Sequence, residues 1–122
     1  MQTGLTYTAT LTVTNAHLAL TVGSGELPVL ATPALSALME EAAWKAVAPA
    51  LEAGSTTVGG EICLTHKRPT ACGKTVSATA TLTAVEGRKL TFHITASDEK
   101  GEIGEASHLR FIVDSARFMA KV

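Results

Sequence analysis

The segment from residue 32 to residue 48, Thr-Pro-Ala-Leu-Ser-Ala-Leu-Met-Glu-Glu-Ala-Ala-Trp-Lys-Ala-Val-Ala, constrains this chain more than any other. Leu35, Leu38, Met39, Ala42 and Ala46 recur at the spacing of one face of a helix with 3.6 residues per turn. The other faces are hardly polar: Ala34, Ala37, Ala43, Trp44 and Val47 leave Ser36, Glu40, Glu41 and Lys45 as the exceptions. A helix apolar nearly all round has to be covered on more than one side, and its alanines let a sheet wrap close against it. Thr32 is the expected N-cap, with Pro33 at the first helical position, where a missing N–H costs nothing. Pro49 and Gly54 end the helix.

Everything around this helix alternates with period two. Leu5, Tyr7, Ala9, Leu11 and Val13 share one parity, with Thr at every even position from 6 to 14. That pattern describes a strand with one buried and one wet face. A looser stretch runs from there to a flexible turn at Gly23-Ser24-Gly25. After the helix, Val58, Gly60, Ile62, Leu64 and His66 share a parity up to a turn over residues 69–73. Val76, Ala78, Ala80, Leu82 and Ala84 alternate with Thr and Ser, Glu86-Gly87-Arg88 makes a hairpin, and Leu90, Phe92, Ile94 and Ala96 continue the alternation. After a turn at 98–101 the pattern slips: Ala106 is even, but Leu109, Phe111 and Val113 are odd. Such a slip calls for a β-bulge or a change of exposed face near Gly104.

One strand, one buried helix and about four antiparallel strands make an α+β fold, and at 122 residues a single domain over 1–122. Two arrangements fit: an antiparallel sheet wrapped around a central helix, the hotdog fold, or a cystatin-like sheet with its helix lying across it. The uniform apolarity of residues 33–48 favours wrapping, because a helix lying across a sheet keeps a wet face.

Ten Lys and Arg against eleven Asp and Glu leave a net charge of −1, which supplies no electrostatic footprint for nucleic acid or an anionic membrane. Aromatic content of 4% argues against a base-stacking platform. No apolar run reaches the roughly 18 residues that span a bilayer, and no basic-then-apolar leader opens the chain, so a cytoplasmic location is expected. Cys63 and Cys72 read as two buried thiols acting as small hydrophobes, with a disulfide as the alternative. His17, His66, His93 and His108 are scattered without metal-ligand spacing, so no metal is expected.

The run Val29-Leu-Ala-Thr-Pro-Ala-Leu-Ser-Ala-Leu-Met-Glu-Glu-Ala-Ala43 resembles the helix entry of the fluoroacetyl-CoA-thioesterase-like group of hotdog proteins. The likeness extends through Thr57-Val-Gly59, Leu64-Thr-His66, Val85-Glu-Gly-Arg-Lys-Leu90, the stretch from Asp98 to Arg110, and Phe118-Met-Ala-Lys121, in the same order along almost the whole chain. The resemblance implies hydrolysis of an acyl-CoA. It further implies a catalytic set at Thr32, Glu40 and His66, with Gly59 and Arg110 holding the acyl-CoA. It implies a homodimer with sites at the subunit interface, and no cofactor beyond the CoA of the substrate. One departure stands out: Val22-Gly-Ser-Gly-Glu-Leu27 has no aromatic residue, whereas the member specialised for fluoroacetyl-CoA covers its site with aromatics there. A short, unfluorinated acyl group is therefore expected.

Each of these residues also has an ordinary explanation. Thr32 suits a helix cap, Glu40 and Glu41 a solvated pair, His66 a core histidine, Gly59-Gly60 a strand bulge, and Arg110 a surface cation. His93 and His108 read as structural. Eight positions separate Thr32 from Glu40, about 80° around a helix, so the two are expected to border one cleft with His66. The small and apolar neighbours of Glu40 (Ser36, Ala43, Val47) are expected to bury its carboxylate. Glu40 then activates water directly, or an acyl-enzyme forms on Thr32 or Glu40. A non-hydrolytic acyl-CoA-binding domain and a cystatin-like scaffold remain as alternative functions.

Overall fold

The computed structural model describes residues 1–122. Its elements are β1 (Thr6–Thr12), α1 (Ala19–Val22), α2 (Thr32–Val47), β2 (Ser55–His66), β3 (Thr75–Glu86), β4 (Lys89–Asp98), β5 (Gly101–Asp114) and α3 (Ser115–Met119). The strands form one antiparallel sheet in the order β1-β3-β4-β5-β2, which curls around α2. After α2 the chain crosses to the far edge, so β2 lies beside β5 and its other side has no neighbour.

The period-two stretches fold as their alternation requires. Val76, Ala78, Ala80 and Leu82 of β3 and Leu90, Phe92, Ile94 and Ala96 of β4 are all buried against the helix. Thr6 and Thr8 of β1 point outward and meet Thr81 and Thr79 across the strand pair. Tyr7 departs from the buried parity of β1: it is 41% exposed at the sheet edge, where Lys45 lies over its ring. Leu35, Leu38, Met39, Ala42 and Ala46 of α2 are buried as their spacing predicts, and Ala43 and Val47 join them. Fully burying a Leu or Met side chain stabilises the fold by about 1.5–3 kcal/mol, so this face anchors α2. Ala37 and Trp44 stay exposed, so one chain covers only part of the apolar rod.

Two bulges fall where the sequence admits them, at Gly59-Gly60 and near Gly104, while the N-cap of α2 and the two thiols differ from expectation. Ala31, extended at φ −70 and ψ 140, is the N-cap of α2, and Thr32 is already helical. Its hydroxyl is thereby released from capping. In β2 the ladder to β5 skips Gly60, a bulge that reverses the facing of the strand. Thr57 and Gly59 point inward before it, and Ile62, Leu64 and His66 after it. In β5 the slip is a bulge at Ile103, between the pairs Ala96–Gly104 and Ser97–Glu102. From there even parity persists, so Ala106, His108 and Arg110 are buried while Leu109, Phe111 and Val113 face outward. Cys63 and Cys72 are free and exposed, because Cys63 has the outward parity of its strand.

Candidate active site

The released hydroxyl of Thr32 finds a partner at the far end of β2. Its Oγ1 lies 2.8 Å from His66 Nδ1. The approach to α2 is fixed by main-chain bonds that hold Leu30 N–H on Thr70 O (2.9 Å) and Ala31 N–H on His17 O (2.8 Å). His66 Nε2 is buried and has no hydrogen-bond partner. Burial pushes the His66 pKa below the ordinary value, opposed by the main chain at Arg68, so the ring is neutral at pH 7. A cleft of about 250 Å³ opens here, lined by Ala19, Ser24, Val29, Leu30, Thr32 and His66, with Lys67 and Arg68 beside them.

A second cluster forms further along α2. Glu40 Oε2 accepts from Arg110 Nη1 at 3.1 Å and lies 3.9 Å from His108 Nε2. Arg110 is buried, and three more contacts fix its plane. Nε donates to Thr57 Oγ1 (2.9 Å), Nη2 to Thr57 O (3.0 Å), and Nη1 stands 3.2 Å from His108 Nε2. Burial lowers the Arg110 pKa, against the raising effect of Glu40, and the guanidinium stays charged. A Cβ on Gly59 would stand 2.5 Å from Glu40 Oε2, so only glycine lets the carboxylate lie this close to β2. Gly60 serves the opposite face, where a Cβ would strike the Phe111 ring.

Several expectations need correction here. Thr32 and His66 meet, but Glu40 does not join them within one chain, because eight residues of helix advance about 12 Å along the axis. The two clusters line different clefts. Arg110 is no surface cation; the bulge-shifted ladder turns it inward as the partner of Glu40. Glu40 is not buried by its helix neighbours and keeps 40% of its side chain exposed. Nor is it half of a solvated pair: Glu41 turns away to Lys45 at 2.8 Å. His108, expected to be structural, belongs to the Glu40 cluster, as does Thr57, which stands in the family-like run Thr57-Val-Gly59 without an expected role. Two positions from Arg110 on one strand was the available signal for His108. For Thr57 the signal was its place in the family-like run before Gly59, while its partner Arg110 depends on strand register.

A family model described as "Fluoroacetyl-CoA-specific thioesterase" matches residues 13–116. The chain belongs to this family. The fluoroacetyl-CoA thioesterase of Streptantibioticus cattleyicolor is 44% identical over 94 residues, which are 77% of this chain and 68% of that protein. A crystal structure of a point mutant of the fluoroacetyl-CoA-specific thioesterase FlK matches with a TM-score of 0.92 at 37% identity, covering 100% of this chain and 95% of that one. An FlK variant in complex with acetyl-CoA matches with a TM-score of 0.93 at 34% identity, covering 99% and 96%. A hot-dog-like protein from Thermanaerovibrio acidaminovorans, 19% identical with a TM-score of 0.89 over 99% and 90%, shares the fold. This member of the family is thus a hotdog protein and not a cystatin-like scaffold, and it is a thioesterase. No helix is long and apolar enough to cross a membrane. Beside the Thr32 cleft, Gly23 ends α1 in the left-handed region at φ 89, and the exposed segment that follows carries no aromatic ring.

Proposed function

We propose that this chain hydrolyses a short acyl-CoA to the free acid and CoA, as a homodimer. Each site combines Thr32 and His66 of one subunit with Glu40, Gly59 and Arg110 of the partner subunit. β2 supports this reading, being a 12-residue edge strand with one side open. Such an edge is a template for a second copy, and two-fold symmetry pairs it antiparallel. An axis between Ile62 and Cys63 sets His66 opposite Gly59 of the partner subunit, where Glu40 of the partner subunit rests. Ala37 and Trp44, exposed on the same side of α2 as Glu40, gain the cover that their composition calls for.

The observation that carries the reading is the buried, partnerless Nε2 of His66. We assign the Thr32 hydroxyl as the donor to Nδ1, so a neutral ring carries its proton on Nε2, a buried donor with no hydrogen-bond partner in the chain. Such a donor stabilises the oxygen of a thioester carbonyl as negative charge builds on it. Glu40 Oε2 is held by Arg110, while Oε1 has no hydrogen bond within the chain. Oε1 takes a proton from water as that water adds to the carbonyl carbon, then passes it to the sulfur as the C–S bond breaks. Gly59 allows close approach of the substrate to the strand, and Arg110 holds Glu40 in place. No cofactor is needed beyond the CoA of the substrate. The cleft of about 250 Å³ and the aromatic-free 22–27 segment suit a short acyl group without fluorine selectivity. Two free, exposed thiols suit a reducing compartment, so the proposed location is the cytoplasm.

Free-thiol release from an acyl-CoA panel tests the chemistry, and mixed subunits test the geometry. His66→Ala and Glu40→Gln are each expected to be inactive. Co-refolded in equal amounts, they should recover roughly a quarter of wild-type activity, since half the dimers are mixed and each mixed dimer has one intact site. Full activity of either single variant would overturn the residue roles, and no recovery on mixing would overturn the shared site. A protein that binds acyl-CoA yet releases no thiol would be the non-hydrolytic binder instead.

A further inference from the structure

One buried titratable side chain in this chain has no role assigned by the family resemblance. His108 is 1% exposed on β5, and its Nδ1 lies 2.7 Å from the main-chain oxygen of Glu61. A carbonyl oxygen only accepts, so Nδ1 carries a proton and donates it. Burial lowers the His108 pKa; the main chain at Glu61 and the charge of Glu40 raise it, and Arg110 lowers it, leaving it below the ordinary value. The ring is then neutral at pH 7, and its single proton is the one on Nδ1. Nε2 is left with a lone pair facing Arg110 Nη1 at 3.2 Å. A guanidinium nitrogen only donates. Nη1 has two hydrogens, and Glu40 Oε2, 3.1 Å away, accepts the other.

We infer that neutral His108 is a positioning residue for Glu40. It occupies one hydrogen of Arg110 Nη1 and so aims the remaining one at the carboxylate. Thr57 fixes the opposite side of the guanidinium through Nε and Nη2, so Arg110 cannot swing to a different pose while His108 accepts. The charged groups facing the ring are Glu40 from α2 and Arg110 from its own strand. β4 contributes the apolar Phe92 ring at 6.1 Å, and β2 contributes the carbonyl of Glu61. A proton on Nε2 would set two donors against each other at 3.2 Å and break the alignment. The inference rests on the proposed role of Glu40 in hydrolysis.

Long-range ¹H–¹⁵N correlation spectra of the imidazoles in the whole protein, with thiol-release kinetics on acetyl-CoA, test it. His108 is expected to show the Nδ1–H tautomer at pH 7. In Glu40→Gln its pKa should fall further, because the charge that raises it is gone. His108→Leu should lower kcat by roughly 100-fold with little change in KM, as expected for a displaced catalytic group. His108→Gln, whose amide can donate to Glu61 O and accept from Arg110, should restore most of that loss. An Nε2–H tautomer, an unchanged kcat in folded His108→Leu, or a loss confined to KM would each overturn the inference. If His108→Leu does not fold, the tautomer and the activity of His108→Gln decide, and a Gln variant as inactive as Glu40→Gln overturns it. An active Glu40→Gln enzyme would instead defeat the role proposed for Glu40 in hydrolysis, whatever tautomer His108 shows.

Discussion

Substituting Gly59 by Ala adds one methyl group where the structure has least room beside the proposed chemistry. The new Cβ would stand 2.5 Å from Glu40 Oε2, 3.3 Å from Arg110 Nη1 and 3.5 Å from His108 Cε1. Ordinary contact requires the carboxylate to retreat by somewhat under about 1 Å. Glu40 can do so, since 40% of its side chain is exposed and its oxygen is the end of a flexible chain. The backbone offers no objection, because Gly59 is not among the glycines with positive φ. Replacing Gly by Ala at a compatible site stabilises a fold by about 0.4–1 kcal/mol through the unfolded chain, which offsets a weakened Glu40–Arg110 pair worth a similar amount. The melting temperature should therefore stay within about 5 °C of wild type. Activity should not stay: a misplacement near 1 Å at a reacting group lowers the rate roughly 100-fold, or about 2.7 kcal/mol of transition-state stabilisation. Thiol release from acetyl-CoA beside a thermal melt reads both quantities. Gly59→Ala with activity within twofold of wild type would refute the role given to the Glu40 position. A collapse in melting temperature would show that the contact serves folding instead.

Across an acyl-CoA panel, acetyl and similar small groups should be turned over without strong preference for fluoroacetyl. A fluoroacetyl preference of several orders of magnitude would contradict the reading of the 22–27 segment. Stability should also depend on pH through His66 and His108, whose pKa values are both lowered in the folded chain. The unfolded chain then binds more protons as pH falls from about 6.5 towards the depressed values, so stability drops through that window and is full above it. For Asp98, burial is outweighed by the Lys100 main chain, Thr70 and Arg68, so its carboxyl is also held below its ordinary value of 3.8 and adds its own loss only beneath that pH. Denaturant midpoints measured from pH 7.5 to 5 check this, and a flat or rising profile on acidification would refute it.

Much of the fold is legible in the alternation of apolar and polar residues. β3 and β4 bury the residues their parity names except Ala84, where a bulge after Leu82 turns Val85 to the core instead; both are central strands with no side chain needed for chemistry on their inner face. The reading fails at β5, where the outward positions Leu109, Phe111 and Val113 are apolar and the inward positions His108 and Arg110 are not. There the demand for a buried polar group overrides the pattern. It fails again at Gly60, because an inserted residue reverses every side chain beyond it. Thr32 was legible as a residue at the helix start, but its freedom from capping was not, since that depends on a one-residue shift of the N-cap.

By itself, the chain of residue types determined one apolar rod and the inner faces of most strands, because side-chain period follows from the local backbone geometry of helix and strand. Only the tertiary structure decided which side chains meet. Thr32 reaches His66 across 34 residues of sequence, and Arg110 reaches Thr57 across 53 and Glu40 across 70. Those meetings depend on β2 crossing to the edge beside β5 and on the bulge that sets its register. Periodicity states how a residue faces about its own axis and carries no information about what lies opposite, so the division of the site into two clusters could arise only from the assembled sheet.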